Sequence, residues 1–282
     1  MRKLVPHKIS HRPVFFARSP VLTGQSSIHK STDFLKSIRN LIQSGKKSLV
    51  ILDIDDTLML TLGYKKTLEK RQSGYASDFW FRTIWQQLDL KSPEYEKLCM
   101  MLVAEYCTVQ QHVNHTTTHD DILTALRELN SANIPFVGLT ARSARLNVFT
   151  TQRLRELNIL FSGYNDFPLT LKVDKKNVLD DNAVYAHGVI YCSGLSKKDC
   201  FMAFRETETG QNILKEAKQI LFMDDGHRHC KDMLDGLSQL EVKPIIIHYT
   251  HVADNLPVAT RAEMQADAHQ LALDKQLTLH FK

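Results

Sequence analysis

Three aspartates stand close together directly after an apolar run. The sequence reads Leu-Val-Ile-Leu over residues 49–52 and then carries Asp53, Asp55 and Asp56. Carboxylates this close repel one another and resist transfer out of water, so folding alone gives no reason for the arrangement. Binding a divalent cation does give one, because hard oxygen ligands suit Mg²⁺. The stretch therefore indicates a functional site.

Three further polar residues occupy comparable positions later in the chain. Thr140 and Asp224 each end an apolar run, and Lys197 opens the helix that follows another. Because ligands bind beyond the carboxyl ends of the strands in an open parallel sheet, we expect these side chains to meet Asp53 at one edge. Each of them alone is better explained as a solvated turn, an N-cap or a surface lysine. Their convergence at one edge favours a binding site.

The order of the segments predicts an α/β fold. Short apolar runs typical of strands covered on both faces alternate with segments of helical spacing. The runs lie at residues 49–52, 133–139, 189–192, 219–223 and 242–249. Such alternation is typical of a three-layer, Rossmann-like core around a parallel sheet. Residues 158–187 are interpreted as loops that could include a hairpin, and residues 260–277 as a terminal helix.

Other parts of the chain differ in pattern from this core. Residues 1–30 are basic, contain prolines and lack a clear period, so we expect an irregular arm. Residues 62–119 contain no strand-like run and carry aromatic and leucine residues at helical spacing, which predicts a helical cap insertion. The predicted core then comprises residues 31–61 and 120–282.

The composition excludes several classes of protein. The chain has 282 residues, 43% of them hydrophobic and 24% charged, as in an ordinary globular protein. Its formal net charge of +5 is too small to indicate nucleic acid as a partner. None of the five cysteines has an arginine six residues later, so the phosphatase loop that pairs a thiolate with an arginine is absent. Neither a signal peptide nor a transmembrane span is expected.

Together the motifs resemble those of the haloacid dehalogenase-like (HAD) superfamily. Its first signature, DxDx[TV] after the first strand, matches residues 53–57, and its second motif, a Ser or Thr at the end of the next strand, matches Thr140. Its basic third motif matches Lys197 or Lys198, and its acidic fourth motif matches residues 224–225. The resemblance implies a HAD core with an inserted helical cap.

More narrowly, the chain resembles a HAD-like group found in intracellular bacterial pathogens. The shared features are Asp-Phe-Trp-Phe at residues 78–81, Gly-Leu-Thr-Ala-Arg at 138–142 and Met-Asp-Asp at 223–225. Some members of that group are similar to secreted effectors that act on phosphotyrosine in host cells. The resemblance therefore implies a cytoplasmic enzyme, or a secreted effector with protein tyrosine phosphatase activity.

The resemblance also implies roles for the acidic residues. Asp53 would attack phosphorus and form an aspartyl-phosphate, and Asp55 would protonate the leaving oxygen and then deprotonate the hydrolytic water. Both side chains would share one face if the strand continued unbroken to Asp55. Mg²⁺ would be ligated by the Asp53 side chain, the Asp55 backbone carbonyl and Asp224, with Asp225 acting through water or orienting Asp224.

Substrate binding is implied for the second and third motifs. Thr140 and Ala141 would contact the phosphoryl group, and Lys197 would supply positive charge to the nucleophile and the phosphate. Arg142 has two open interpretations, a clamp for a substrate phosphate or acid group and a partner for a carboxylate at a helix start. The histidines around His115 have near-helical spacing and are better explained by a solvated helix than by a zinc site.

The leading interpretation is a Mg²⁺-dependent phosphomonoesterase with an aspartyl nucleophile, whose substrate could be a phosphotyrosine protein. A second enzymatic interpretation is a small-metabolite phosphatase with the insertion closing over the substrate. A third is a membrane-docking module whose basic arm at residues 1–30 binds anionic, phosphoinositide-type headgroups.

Overall fold

The computed structural model describes residues 27–62, 95–163, 167–174 and 182–256, together with positions 81, 85, 91, 93, 165 and 262–263. The strands are β1 (Ile28–Ser31), β2 (Ser48–Leu52), β3 (Met59–Leu62), β4 (Asn114–Thr117), β5 (Phe136–Thr140), β6 (Leu169–Leu171), β7 (Ala183–Ala186), β8 (Val189–Tyr191), β9 (Gln219–Asp224) and β10 (Lys243–Tyr249). The α-helices are α1 (Phe34–Gln43), α2 (Tyr95–Gln110), α3 (Ile122–Ser131), α4 (Asn147–Glu156), α5 (Lys197–Arg205), α6 (Glu208–Leu214), α7 (His227–Leu237) and α8 (His251–Asn255). A 3₁₀ turn at Ala144–Leu146 precedes α4.

A single mixed sheet organises the described part of the chain. Its strand order is β1-β10-β9-β2-β5-β8-β7-β6. The six strands from β1 to β8 in this order run parallel to their neighbours, whereas β7 and β6 are joined antiparallel. The five strands predicted from apolar runs are all present, as β2, β5, β8, β9 and β10. The α/β class and the mostly parallel sheet are therefore confirmed.

Helices cover both faces of this sheet. In β2, Val50 and Leu52 lie in one apolar cluster with buried side chains of α1 and α3. Leu49 and Ile51 lie in a second cluster with buried side chains of α5 and α7. A strand buried on both faces needs no polar residues between its apolar ones, which is why β2 reads as a continuous apolar run. The sheet thus separates two cores.

The structure corrects the predictions in two places. Residues 28–30, assigned to the irregular arm, belong to β1, which pairs in parallel with β10 at the sheet edge. The interval 62–119 is not wholly helical, because β4 pairs antiparallel with β3 to form a separate two-stranded sheet. Strands β1 and β4 are short and lack a clear apolar pattern, so their strand conformation depends on their partners. The sequence left open whether residues 158–187 contain a hairpin, and β6 and β7 form an antiparallel pair there.

Several predicted segments lie outside the described residues. These are the arm at residues 1–26, most of the insertion between residues 63 and 94, and nearly all of the terminal helix at 260–277. The division into an arm, a cap and a core stays a prediction. Among the described residues, every helix is too short or too polar to cross a membrane.

Candidate functional site

Asp53 and Asp224 lie side by side at the carboxyl edge of the sheet. Strands β2 and β9 are parallel neighbours in which Leu52 pairs with Met223. The residue that follows each of these two in the chain is an aspartate. The backbone N–H of Asp53 donates to the carbonyl of Met223 at 3.0 Å. Asp225 completes a group of three carboxylates that offer ligand oxygens within 4.8 Å of one another.

Lys197 joins two of these carboxylates. It opens α5, where the Ser196 side chain caps the helix by accepting from the Asp199 backbone N–H. Its Nζ donates to Asp53 Oδ1 at 2.5 Å and to Asp224 Oδ2 at 2.7 Å. With Asp225, these residues form what we call the lysine cluster.

The neighbouring Lys198 lies elsewhere. Its side chain packs against Gly236 of α7, where an added Cβ would come within 2.6 Å of Lys198 Cγ. Of the two candidates for the third motif, Lys197 is therefore the lysine that the structure brings to the acidic residues.

Burial sets the electrostatics of the lysine cluster. Burial raises the pKa of Asp53 well above its usual value, and the charges of Asp224 and Asp55 act in the same direction against the opposing charge of Lys197. For Lys197, burial alone would lower the pKa, but Asp224 and Asp53 outweigh it and raise the pKa of the ammonium. Lys197 therefore stays charged, whereas positive charge added near Asp53 would favour its ionised form.

The donor set of the lysine cluster fits a hard divalent cation. The candidate ligand atoms of Asp53, Asp224 and Asp225 are all carboxylate oxygens. Such oxygens suit Mg²⁺ and similar cations better than softer metals. Lys197 binds two of these carboxylates, and a divalent cation bound among the three would add positive charge beside them.

Asp55 has a different partner. Arg142 Nε and Nη2 each donate to one of its carboxylate oxygens at 2.8 Å, and Arg142 Nη1 donates to Thr150 Oγ1 at 3.1 Å. The Arg142 side chain is only 1% exposed. Of the two interpretations of Arg142, the structure thus supports a carboxylate partner, although that carboxylate belongs to the first motif and not to a helix start.

Thr140 lies with this pair. Its hydroxyl accepts from the Arg142 backbone N–H at 3.1 Å and lies 3.5 Å from Asp55 Oδ2. Asp55, Arg142 and Thr140 are called the arginine cluster below. Ala141 is exposed, and its carbonyl accepts from the Gly194 N–H at 3.0 Å.

The arginine pair shifts the protonation of Asp55. Burial alone would raise the pKa of Asp55, but the charge and hydrogen bonds of Arg142 outweigh burial and lower it. A general acid must carry a proton that it can donate. In this arrangement Asp55 is an ionised carboxylate and lacks the proton that a general acid donates.

Comparison with protein families places the whole site in one group. A family model described as "Protein of unknown function (DUF2608)" matches residues 31–280. The chain belongs to the DUF2608 family. No curated protein and no solved structure matches it. The matched range includes every residue of the lysine and arginine clusters.

Thr57 is a residue of this DUF2608 site to which the sequence assigned no role. Its hydroxyl accepts from the Asp225 backbone N–H at 3.1 Å, which helps to fix the acidic turn at residues 224–225. Its carbonyl accepts from the Thr118 hydroxyl at 2.6 Å. The only sequence signal was its place in the first motif, because its partners are 168 and 61 residues away in the chain.

Proposed function

We propose that this DUF2608 protein is a phosphomonoesterase that depends on a divalent cation and uses Asp53 as its nucleophile. The observation that carries the proposal is the ammonium of Lys197 bound to both Asp53 and Asp224 at the carboxyl edge of a parallel sheet. Phosphoryl transfer asks a protein mainly for positioning and neutralisation of charge. The resemblance of the motifs to the HAD superfamily supports the same reaction.

The proposed reaction has two steps at Asp53. A carboxylate oxygen of Asp53 attacks phosphorus, the bond from phosphorus to the leaving oxygen breaks, and an aspartyl-phosphate forms. Water then attacks phosphorus, and the bond to the Asp53 oxygen breaks to release phosphate. Lys197 holds Asp53 in place and offsets its charge. A bound Mg²⁺ would screen the repulsion between carboxylate and phosphate.

Asp55 bears on which substrates suit the site. Because both of its oxygens accept hydrogen bonds from Arg142, this arrangement does not let Asp55 protonate a leaving oxygen. As a carboxylate it can accept a hydrogen bond from the attacking water and orient it in the second step, while the protons of that water stay on the released phosphate. Leaving groups that depart without a proton are then favoured, such as a phenolate whose conjugate acid has a pKa of about 10. This observation favours aryl phosphates, including phosphotyrosine, over alkyl phosphate metabolites.

The test is hydrolysis of aryl phosphates by the purified full chain. We expect 4-nitrophenyl phosphate and a phosphotyrosine peptide to be hydrolysed with Mg²⁺, no activity in EDTA, and recovery when Mg²⁺ is restored. Asp53→Asn keeps the side-chain shape and should lower kcat by about 10³-fold or more, as for loss of other nucleophiles. Full activity in Asp53→Asn would refute the assignment.

A metabolite panel separates the two enzymatic interpretations. We expect rates on glycerol phosphate and sugar phosphates to fall well below those on aryl phosphates. Equal rates would favour the small-metabolite phosphatase and would show that Asp55 is released from Arg142 during turnover.

A further inference from the structure

The two-stranded sheet of β3 and β4 brings two polar side chains together beside the arginine cluster. Thr61 pairs with His115 in the antiparallel register of β3 and β4. Residues directly opposite each other in such a pair place their side chains on the same face. The opposite face is occupied by Leu60 and Leu62, which pack against Val252 of α8.

Both polar side chains carry a buried atom without a partner. Within the part of the chain that the structure describes, Thr61 Oγ1 and His115 Nδ1 are sealed from solvent and make no hydrogen bond. Buried polar atoms are nearly always paired, so two orphans in one cross-strand pair require an explanation. The other ring nitrogen, His115 Nε2, lies 3.1 Å from Gln110 Oε1. If Nε2 donates to that acceptor, Nδ1 is left as an acceptor.

The surroundings define the charge of a group that could satisfy both atoms. Burial lowers the pKa of His115 to about 3, with the charge of Arg142 acting in the same direction and that of Asp55 against it. His115 is therefore neutral at physiological pH. The nearby charges of Arg142 and Arg153 disfavour a cation. Arg142 already binds Asp55 through two N–H groups, which leaves an incoming anion poorly compensated.

We infer that Thr61 and His115 form a polar subsite for an uncharged hydroxyl or carboxamide group on the molecule that carries the phosphate, an assignment that rests on the proposed function. A carboxamide would donate an N–H to His115 Nδ1 and accept from the Thr61 hydroxyl. A hydroxyl can likewise both donate and accept. The Phe149 ring, whose centroid lies 6.0 Å from that of His115, supplies an apolar surface beside this group.

The kinetic test compares matched substrates and variants. The substrates are phenyl phosphate, 3- and 4-carbamoylphenyl phosphate, and 3-carboxyphenyl phosphate. Thr61→Val removes the hydroxyl at nearly constant volume and should lower kcat/KM about tenfold for a carbamoyl substrate, the usual effect of one hydrogen bond. It should change kcat/KM for phenyl phosphate and the carboxylate less than twofold. Thr61→Ser should retain the preference.

A control variant separates this effect from damage to the two-stranded sheet of β3 and β4. Thr116→Val makes the same change on β4, where Thr116 pairs with Leu60 on the face towards α8. We expect no change in the ratio of carbamoylphenyl to phenyl phosphate hydrolysis. If Thr61→Val lowers activity on every substrate by the same factor, Thr61 has only a structural role and the proposal is wrong.

A measurement independent of activity distinguishes failure of the subsite from failure of the enzyme assignment. Benzamide should shift the Nδ1 resonance of His115 in a ¹⁵N-histidine NMR spectrum of the wild-type chain, and Thr61→Val should weaken that shift. A shift without hydrolysis of any phosphate would keep the subsite and refute the phosphatase. Hydrolysis of phenyl phosphate without a shift or a substrate preference would do the reverse, with trapped water as the partner of both atoms.

Discussion

The lysine cluster and the arginine cluster lie near each other at one edge of the sheet but differ in their balance of charge. In the lysine cluster the ammonium of Lys197 binds two of three neighbouring carboxylates, and the pKa of Asp53 is raised. In the arginine cluster the guanidinium of Arg142 donates two hydrogen bonds to the carboxylate of Asp55, and the pKa of Asp55 is lowered. The first cluster holds more carboxylates than Lys197 binds, which suits a cation, whereas the second pairs one cation with one carboxylate.

The largest effect on folding is expected from breaking the arginine cluster. Arg142→Met leaves Asp55 buried without its partner and should lower the free energy of unfolding by about 3–5 kcal/mol. Urea denaturation measures the loss. The matched change Arg145→Met, at an exposed arginine three residues later, should cost less than about 0.5 kcal/mol. If Arg142→Met were as stable as wild type, the pair would contribute nothing to folding.

The next effect concerns activity in the lysine cluster. Lys197→Met should lower kcat on 4-nitrophenyl phosphate by about 10²–10³-fold, because it removes a fixed positive charge from the reacting groups. Lys198→Met, one residue away and packed on α7, should stay within about twofold of wild type. Similar losses in the two variants would contradict the assignment of Lys197.

Smaller and opposite effects on stability are expected at the two aspartates. In EDTA at pH 7, Asp53→Asn should raise the free energy of unfolding by about 0.5–2 kcal/mol, because a raised native pKa means that ionised Asp53 destabilises the fold above its unfolded pKa. Asp55→Asn should lower the free energy of unfolding, because it removes an ion pair. Chemical denaturation of both variants measures the two changes. Changes of the same sign would contradict the opposite charge balance of the two clusters.

The smallest effect is a pH dependence confined to acid. Since the native pKa of Asp55 is lowered, its contribution to stability is complete above its unfolded pKa of about 4 and is lost as pH falls through the native value. The difference in unfolding free energy between wild type and Asp55→Asn should therefore be constant from pH 7 to about 5 and shrink below about 4. A difference that is unchanged at pH 2.5 would contradict the pairing.

The fold could be predicted where burial alone determines the strand. Strands such as β2 are covered on both faces, so their apolar runs are visible without knowledge of their neighbours. Strand β4 reads Asn-His-Thr-Thr and forms because β3 lies beside it. No local pattern reports such a partner, which is why the helical interpretation of 62–119 is wrong there.

The residues of the site could be predicted only in part, where they stand at the ends of strands buried on both faces. Asp53 directly follows buried strand β2 and Asp224 ends buried strand β9, so their meeting at one edge follows from the topology. The partner of Asp55 does not follow, because β2 ends at Leu52 and the alternation of side chains stops before Asp55. Asp56 then adopts a positive φ of 53°. The pairing with Arg142 depends on this turn, which spacing alone could not specify.

Thr57 connects two parts of the site to each other. Its hydroxyl binds the backbone of Asp225, and its carbonyl binds the side chain of Thr118, next to the end of β4. A displacement of β4 would therefore pull on the same residue that binds the backbone of Asp225. Ion binding at Asp225 and a displacement of β4 would then be thermodynamically linked, each changing the free energy of the other by the same amount.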